Sequence, residues 1–121
     1  MRPATPTNEA ERLRQLADYE ILDTPAEQAY DDVAYLAAHI CNTPIALISL
    51  VDSDRQWFKS RVGLERHQTH RDVAFCAHAI NHATELFEVP DAMSDGRFSD
   101  NPLVTTDPKI RFYPGAPLDR W

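Results

Sequence analysis

A thiol and an imidazole two residues apart, Cys76 and His78, are the most reactive pairing in this 121-residue chain. Together they have the makings of a nucleophile and its general base. On a helix, however, positions two apart point about 200° away from each other. Cys76 then shares a side with Val73 and Ile80, and His78 does not, so the dyad fails on geometry. His78 and His82 stand at i and i+4, one face of a helix, a spacing that can hold zinc. The residue after His78 is Ala79, where the zinc-hydrolase helix needs its glutamate. Solvated or hydrogen-bonded histidines are therefore expected, with His67 and His70 in the preceding loop and no metal site. Asp91, Asp95 and Asp100 occupy a turn-rich loop, where aspartate caps turns and can also orient a polar ligand. Arg111 offers a planar fork for an anionic group. Trp57, Phe58, Phe75 and Phe112 should line a core or a pocket. No phosphate-cradling glycine motif and no nucleophile elbow occurs, and the chain has only three glycines. Complete catalytic machinery is not expected, and the reading from the residues is of a protein that is not an enzyme.

The composition narrows the class. Hydrophobic residues make up 43% and charged residues 26%, ordinary values for one globular domain. Twelve Lys and Arg against 19 Asp and Glu give a net charge of −7, which argues against binding nucleic acid through its phosphates. Cys41 and Cys76, far apart and without CxxC spacing, read as two buried free thiols in a reducing, cytoplasmic compartment. No run approaches the ~18 apolar residues of a membrane span, and no signal-peptide pattern opens the chain.

The elements that must position these residues follow from capping and periodicity. Residues 1–7 form a flexible arm. Asn8 and Glu11 have capping-box spacing for a helix to about Glu20, with Leu13, Leu16 and Ala17 as its stripe. Thr24-Pro25-Ala26-Glu27 predicts a second helix start, and Ala29, Val33, Leu36, Ala37 and Ile40 give it one apolar face, ending near Cys41. Ile45–Val51 reads as a strand buried on both faces, paired in a hairpin with Gln56–Val62. Asp72 caps a third helix to about Ala83. Leu86–Val89 is a short strand, 91–109 a long loop with one helical turn near Asn101, and Ile110–Tyr113 starts a last strand toward Leu118. The fold class is α+β.

In this order the segments NEAERLRQLADYEILDTPAE, PIALISLVDSDRQWFKSRVG, FCAHAI, VPDAMSDGRFSDNPLV and IRFYPGAP resemble a bacterial GAF domain. They are similar in particular to the input domains ahead of sensor histidine kinases and diguanylate cyclases. The resemblance covers roughly residues 8–118. It implies a central antiparallel sheet with helices on one face, and a small-molecule pocket under loops on the other. Trp57, Phe75, Cys76, His78, Asp91, Arg111 and Phe112 are the ligand-binding candidates, with the ligand or cofactor unnamed. It also implies a homodimer through the helices at 8–20 and 28–41, and an output kinase or cyclase domain. Family members continue past GAPL into a final strand, so residues 8–121 are expected to be a GAF-like domain lacking that strand, with the Ile45–Val51 edge left open. Bilin-binding members pair a Cys with an adjacent His, a spacing not found here. The members that reduce free methionine sulfoxide cluster several cysteines, which Cys41 and Cys76 do not match. Two other classes of function stay open at this point: an interaction module whose pocket is filled by side chains, and, as the weaker, a methionine sulfoxide reductase-like redox enzyme using Cys76.

Overall fold

Extended, β-branched and apolar residues on either side of Asp52-Ser53-Asp54 fold back on themselves as expected. A computed structural model describes residues 2–82 and 86–117. Its elements are α1 (Glu9–Asp18), α2 (Gln28–Cys41), β1 (Ala46–Val51), β2 (Arg55–Val62), β3 (Gln68–His70), α3 (Phe75–Ala79), β4 (Phe87–Val89), α4 (Pro102–Thr105) and β5 (Tyr113–Gly115). Short 3-10 turns at Arg71–Val73, Ile80–His82 and Ala92–Ser94 join them. The α+β class stands, with the strands divided between an antiparallel sheet in the order β1-β2-β3 and a two-stranded sheet, β4-β5. The chain forms two compact units, one of residues 8–69 and one of residues 1–7 with 70–121. No helix among the described residues is long and apolar enough to cross a membrane.

In the 8–69 unit, β1 and β2 pair antiparallel from Ala46↔Val62 to Val51↔Gln56. The register jumps between Ile48↔Ser60 and Ser49↔Phe58, which leaves Lys59 as the extra residue of a β-bulge. Its side chain is wholly buried, and a buried ammonium must find partners or lose its charge. Lys59 Nζ donates to Thr24 Oγ1 at 2.8 Å and to the Pro25 carbonyl at 2.7 Å, and meets Glu27 at 2.5 Å. These bonds hold the α1–α2 connection on β2. They also correct the expected helix start, because Thr24, turned to Lys59 and to the Ile21 carbonyl, caps nothing, and α2 begins at Gln28. At Asn8 no side-chain cap forms either. α1 is instead fixed through Arg12, which pairs with Glu9 and donates to the Val51 carbonyl at 2.5 Å.

The face of α2 is a second correction. Ala34 is buried and Tyr30, Asp31 and Ala38 are half-buried, whereas Val33, Leu36 and Ile40 are exposed. The Asp31 carboxylate accepts from Ser60 Oγ at 2.6 Å, so polar bonds from β2 set the helix's rotation. Among the described residues β1 has one lateral neighbour, and it is half-buried up to Val51, not buried on both faces. Asn42 closes α2 in the left-handed conformation, φ 52°. Gly63 ends β2 at φ +78°, where an added Cβ would lie 1.9 Å from the Pro44 carbonyl oxygen.

The other unit has a core of Phe75, Ala79, Phe87, Val89, Ala92, Phe98, Leu103 and Val104. Asn101 caps the one-turn α4 by accepting from the Leu103 N–H at 2.8 Å, with Pro102 at the first helical position, as the sequence predicts. The N-terminal arm is tied to this unit by Arg2 to Asp72 at 3.1 Å and by the Asn81 amide to the Ala4 carbonyl at 3.0 Å. The expected third helix breaks into a 3-10 turn, α3 and another 3-10 turn, and its end at Ala83 lies outside the described residues. β5 starts at Tyr113, three residues later than Ile110, and its continuation to Leu118 also lies outside them.

Two stability outcomes follow. Gly63→Ala should cost at least ~2 kcal/mol in urea unfolding, because the left-handed backbone and the Pro44 carbonyl both oppose a side chain. Lys59→Ala should cost about 2 kcal/mol through its lost hydrogen bonds, Glu27 being open enough to water to rehydrate. Hydrogen exchange at residues 20–27 should rise in the Lys59→Ala protein.

Candidate functional site

Three of the seven ligand-binding candidates converge. Phe75, Cys76 and His78 all come from α3, a helix too short for its two sides to separate buried from exposed. Phe75 stacks on Phe98 with ring centres 4.2 Å apart and planes 8° from parallel. Tyr113 from β5 leans on Phe75 at 5.0 Å, and Phe87 from β4 meets Tyr113 edge-on at 6.1 Å. The His78 ring, buried, stands edge-on to Phe98 at 4.7 Å. Such offset and edge contacts suit ring quadrupoles and add to the burial term.

The polar atoms of this cluster are distributed among separate partners. Cys76 Sγ lies 2.8 Å from the Tyr113 hydroxyl, a bond that ties α3 to β5. Burial first, and then the neighbouring thiol, push the Tyr113 hydroxyl's pKa well above its ordinary value, so the phenol stays protonated. The thiol thus faces a phenol while the imidazole lies against rings, which separates the two members of the considered dyad. At the edge, the Arg97 guanidinium covers Phe87 at 5.0 Å and Phe98 at 5.3 Å. Arg97 also donates to the two Asp95 oxygens at 3.0 and 2.7 Å. These bonds, more than offsetting partial burial, hold the Asp95 carboxyl down to about 2; the Arg97 backbone N–H and nearby positive charge act the same way.

The remaining candidates do not join the cluster. Trp57 is buried on β2 in the 8–69 unit. Asp91 accepts from the Met93 N–H at 3.1 Å and from the Ser94 hydroxyl at 3.0 Å, capping a turn. Arg111 donates to the Val104 and Ile110 carbonyls at 2.9 and 3.1 Å and lies before β5. Phe112, expected in the core or pocket, is exposed. Phe112 lies before β5, which starts at Tyr113, three residues later than expected, and it is Tyr113 that packs on the core. Both cysteines are free, but Cys41 is exposed and Cys76 half-buried, which corrects the picture of two buried thiols. No group of three or more metal-ligating side chains forms among the described residues, and the side chain of His82 lies outside them. Sequence reasoning missed Phe87, Phe98 and Tyr113. The alternation of Phe87 and Val89 on a strand was the available signal for the first.

No protein-family model matches this chain. Over 116 residues, 96% of its length, it is 43% identical to the cyclic di-GMP phosphodiesterase PA2567 of Pseudomonas aeruginosa. The chain spans about a fifth of that relative, 20% of its length. This match corrects the expectation of a protein that is not an enzyme, because the relative matched along nearly the whole chain is one.

The Asp95–Arg97 pair sets an acid limit. A carboxyl depressed in the folded state stabilises the fold fully above its unfolded pKa of ~4, and that contribution is lost as pH falls toward about 2. Urea midpoints measured between pH 5 and pH 2 should fall, roughly in that window. Asp95→Asn should shallow the slope without abolishing it, since Asp23, hydrogen-bonded by Arg55, is shifted in the same direction.

Proposed function

We propose that this chain is a GAF-type sensory and regulatory module of a cyclic di-GMP phosphodiesterase. The observation that carries the reading is the 43% identity along 96% of the chain to a fifth of such an enzyme. The five ordered GAF-like segments and the α+β architecture support it further. The kinase or cyclase output expected from the resemblance gives way, in this reading, to a phosphodiesterase.

The ring cluster around Phe98 is the site a small molecule would engage. Its strands are short, and a sulfur–oxygen contact at 2.8 Å and the Phe75–Tyr113 ring contact tie β5 to α3. A ligand that prefers the arrangement with Tyr113 displaced from Cys76 shifts the population toward it by its differential affinity. The attached enzyme reads that shift as a change in rate.

A chimera tests this. This chain replaces the matched segment of PA2567, and cyclic di-GMP hydrolysis is compared with the parent and with a protein deleted of the segment. The chimera should hydrolyse cyclic di-GMP, and deletion should change kcat/KM about fivefold or more. Tyr113→Phe in the chimera should move the rate toward that of the deletion. Identical kinetics with and without the segment would overturn the reading.

A further inference from the structure

α3 is five residues long, too short to hold as a helix without support from its neighbours. The turns that flank it are each joined to the N-terminal arm, which belongs to the same compact unit. Before α3, Asp72 accepts from Arg2 Nε at 3.1 Å. After it, the Asn81 side-chain amide donates to the Ala4 carbonyl at 3.0 Å and to the Ala77 carbonyl, near the end of α3, at 3.2 Å. An amide nitrogen has two hydrogens, so one group serves both bonds and couples the arm to the helix end. Pro3 and Pro6 suit the arm to this use. Proline favours extended backbone, whose carbonyls have no internal partner and stay open to a donor such as Asn81. Both prolines are half-buried, while Arg2, Ala4 and Thr5 are exposed.

We propose that residues 2–6 are a strap across α3, and that release of this strap opens the ring cluster to solvent. α3 carries Phe75 onto Phe98, Cys76 onto the Tyr113 hydroxyl and His78 onto the edge of Phe98. A segment anchored on both sides of α3 holds all three side chains in place. The anchors are of a kind that can let go. Arg2 and Asp72 are 79% and 41% exposed, and an ion pair so open to water is worth little and is screened by salt. The Asn81–Ala4 bond is a single neutral hydrogen bond, modest in net strength. Beneath them lie ring contacts that stay packed as long as α3 keeps its place. Release needs no ligand, so the strap stands or falls apart from the sensory reading.

Alkylation of Cys76 by iodoacetamide reads the opening, in a Cys41→Ser background because Cys41 is exposed. Deleting residues 2–6 should speed it roughly three- to tenfold, the factor that one lost hydrogen bond of ordinary net strength gives. Asn81→Ala, at an exposed position, should do the same, and the two changes together should give less than the product of their separate factors. Arg2→Ala should stay within about twofold. Amide exchange of residues 75–80 should rise in the deleted protein while that of β1 and β2 does not. Unchanged alkylation in both the deletion and the Asn81→Ala proteins would overturn the proposal. So would exchange rising equally in β1 and β2, the mark of general loosening, or full additivity of the two changes, which would separate Asn81 from the arm.

Discussion

The wholly buried ammonium of Lys59 is the constraint around which the 8–69 unit is arranged. A charge removed from water requires close acceptors, and three are supplied by a single stretch of chain, Thr24, Pro25 and Glu27. The bulge at Lys59 adds the extra residue to β2 from which that side chain departs. The stretch bent over it contains Glu20 and Asp23 at φ 51° and 60°, left-handed positions that its neighbours must hold in place. Arg55 does part of this by gripping both oxygens of Asp23 at 2.9 and 2.7 Å. α2 therefore starts where the clamp ends, and Asp31 bonding Ser60 fixes which way it faces. The apolar stripe is left outward because polar bonds chose the rotation.

The other unit is organised by packing. Phe98 is fully buried, and the rings of Phe75, His78 and Phe87 all touch it. Around such a centre the polar atoms sit at the margin: the thiol on a phenol, the guanidinium over two ring faces and bonded to Asp95. Each has a close partner, which is how polar groups remain compatible with an aromatic interior.

Features governed by near neighbours in sequence were legible. The hairpin followed from two apolar runs around a polar turn, and the Asn101-Pro102 start from one cap and one proline. Features governed by distant partners were not. Thr24-Pro25 has every local mark of a helix start, but the ammonium that recruits Thr24 lies 35 positions away. The stripe on α2 was visible, yet whether it faces inward is decided by Ser60 and Lys59. In the site, Phe75, Cys76 and His78 were legible as a group from a helix-like segment. Their partner Tyr113 was hidden because the strand starts three residues later than Ile110, which leaves Phe112 before it and exposed and puts Tyr113 on the core. The catalytic expectation failed for another reason: absent motifs describe the residues present, whereas the enzyme this chain matches is about five times as long.

The two units differ in what holds them, and this bears on how a signal could act. In the 8–69 unit, β2 holds α2 through the Ser60–Asp31 bond and the approach to α2 through the several bonds of Lys59, so a change there must break a network. β5 is three residues long, pairs with one equally short strand, and meets α3 through the Cys76–Tyr113 contact and the Phe75–Tyr113 ring contact. Segments with few cooperative contacts open at the lowest free energy. β5 meets the ring cluster through Tyr113, whose ring lies on Phe75 and Phe87 and whose hydroxyl faces Cys76 at the margin, so a displacement of this short strand is felt by all three.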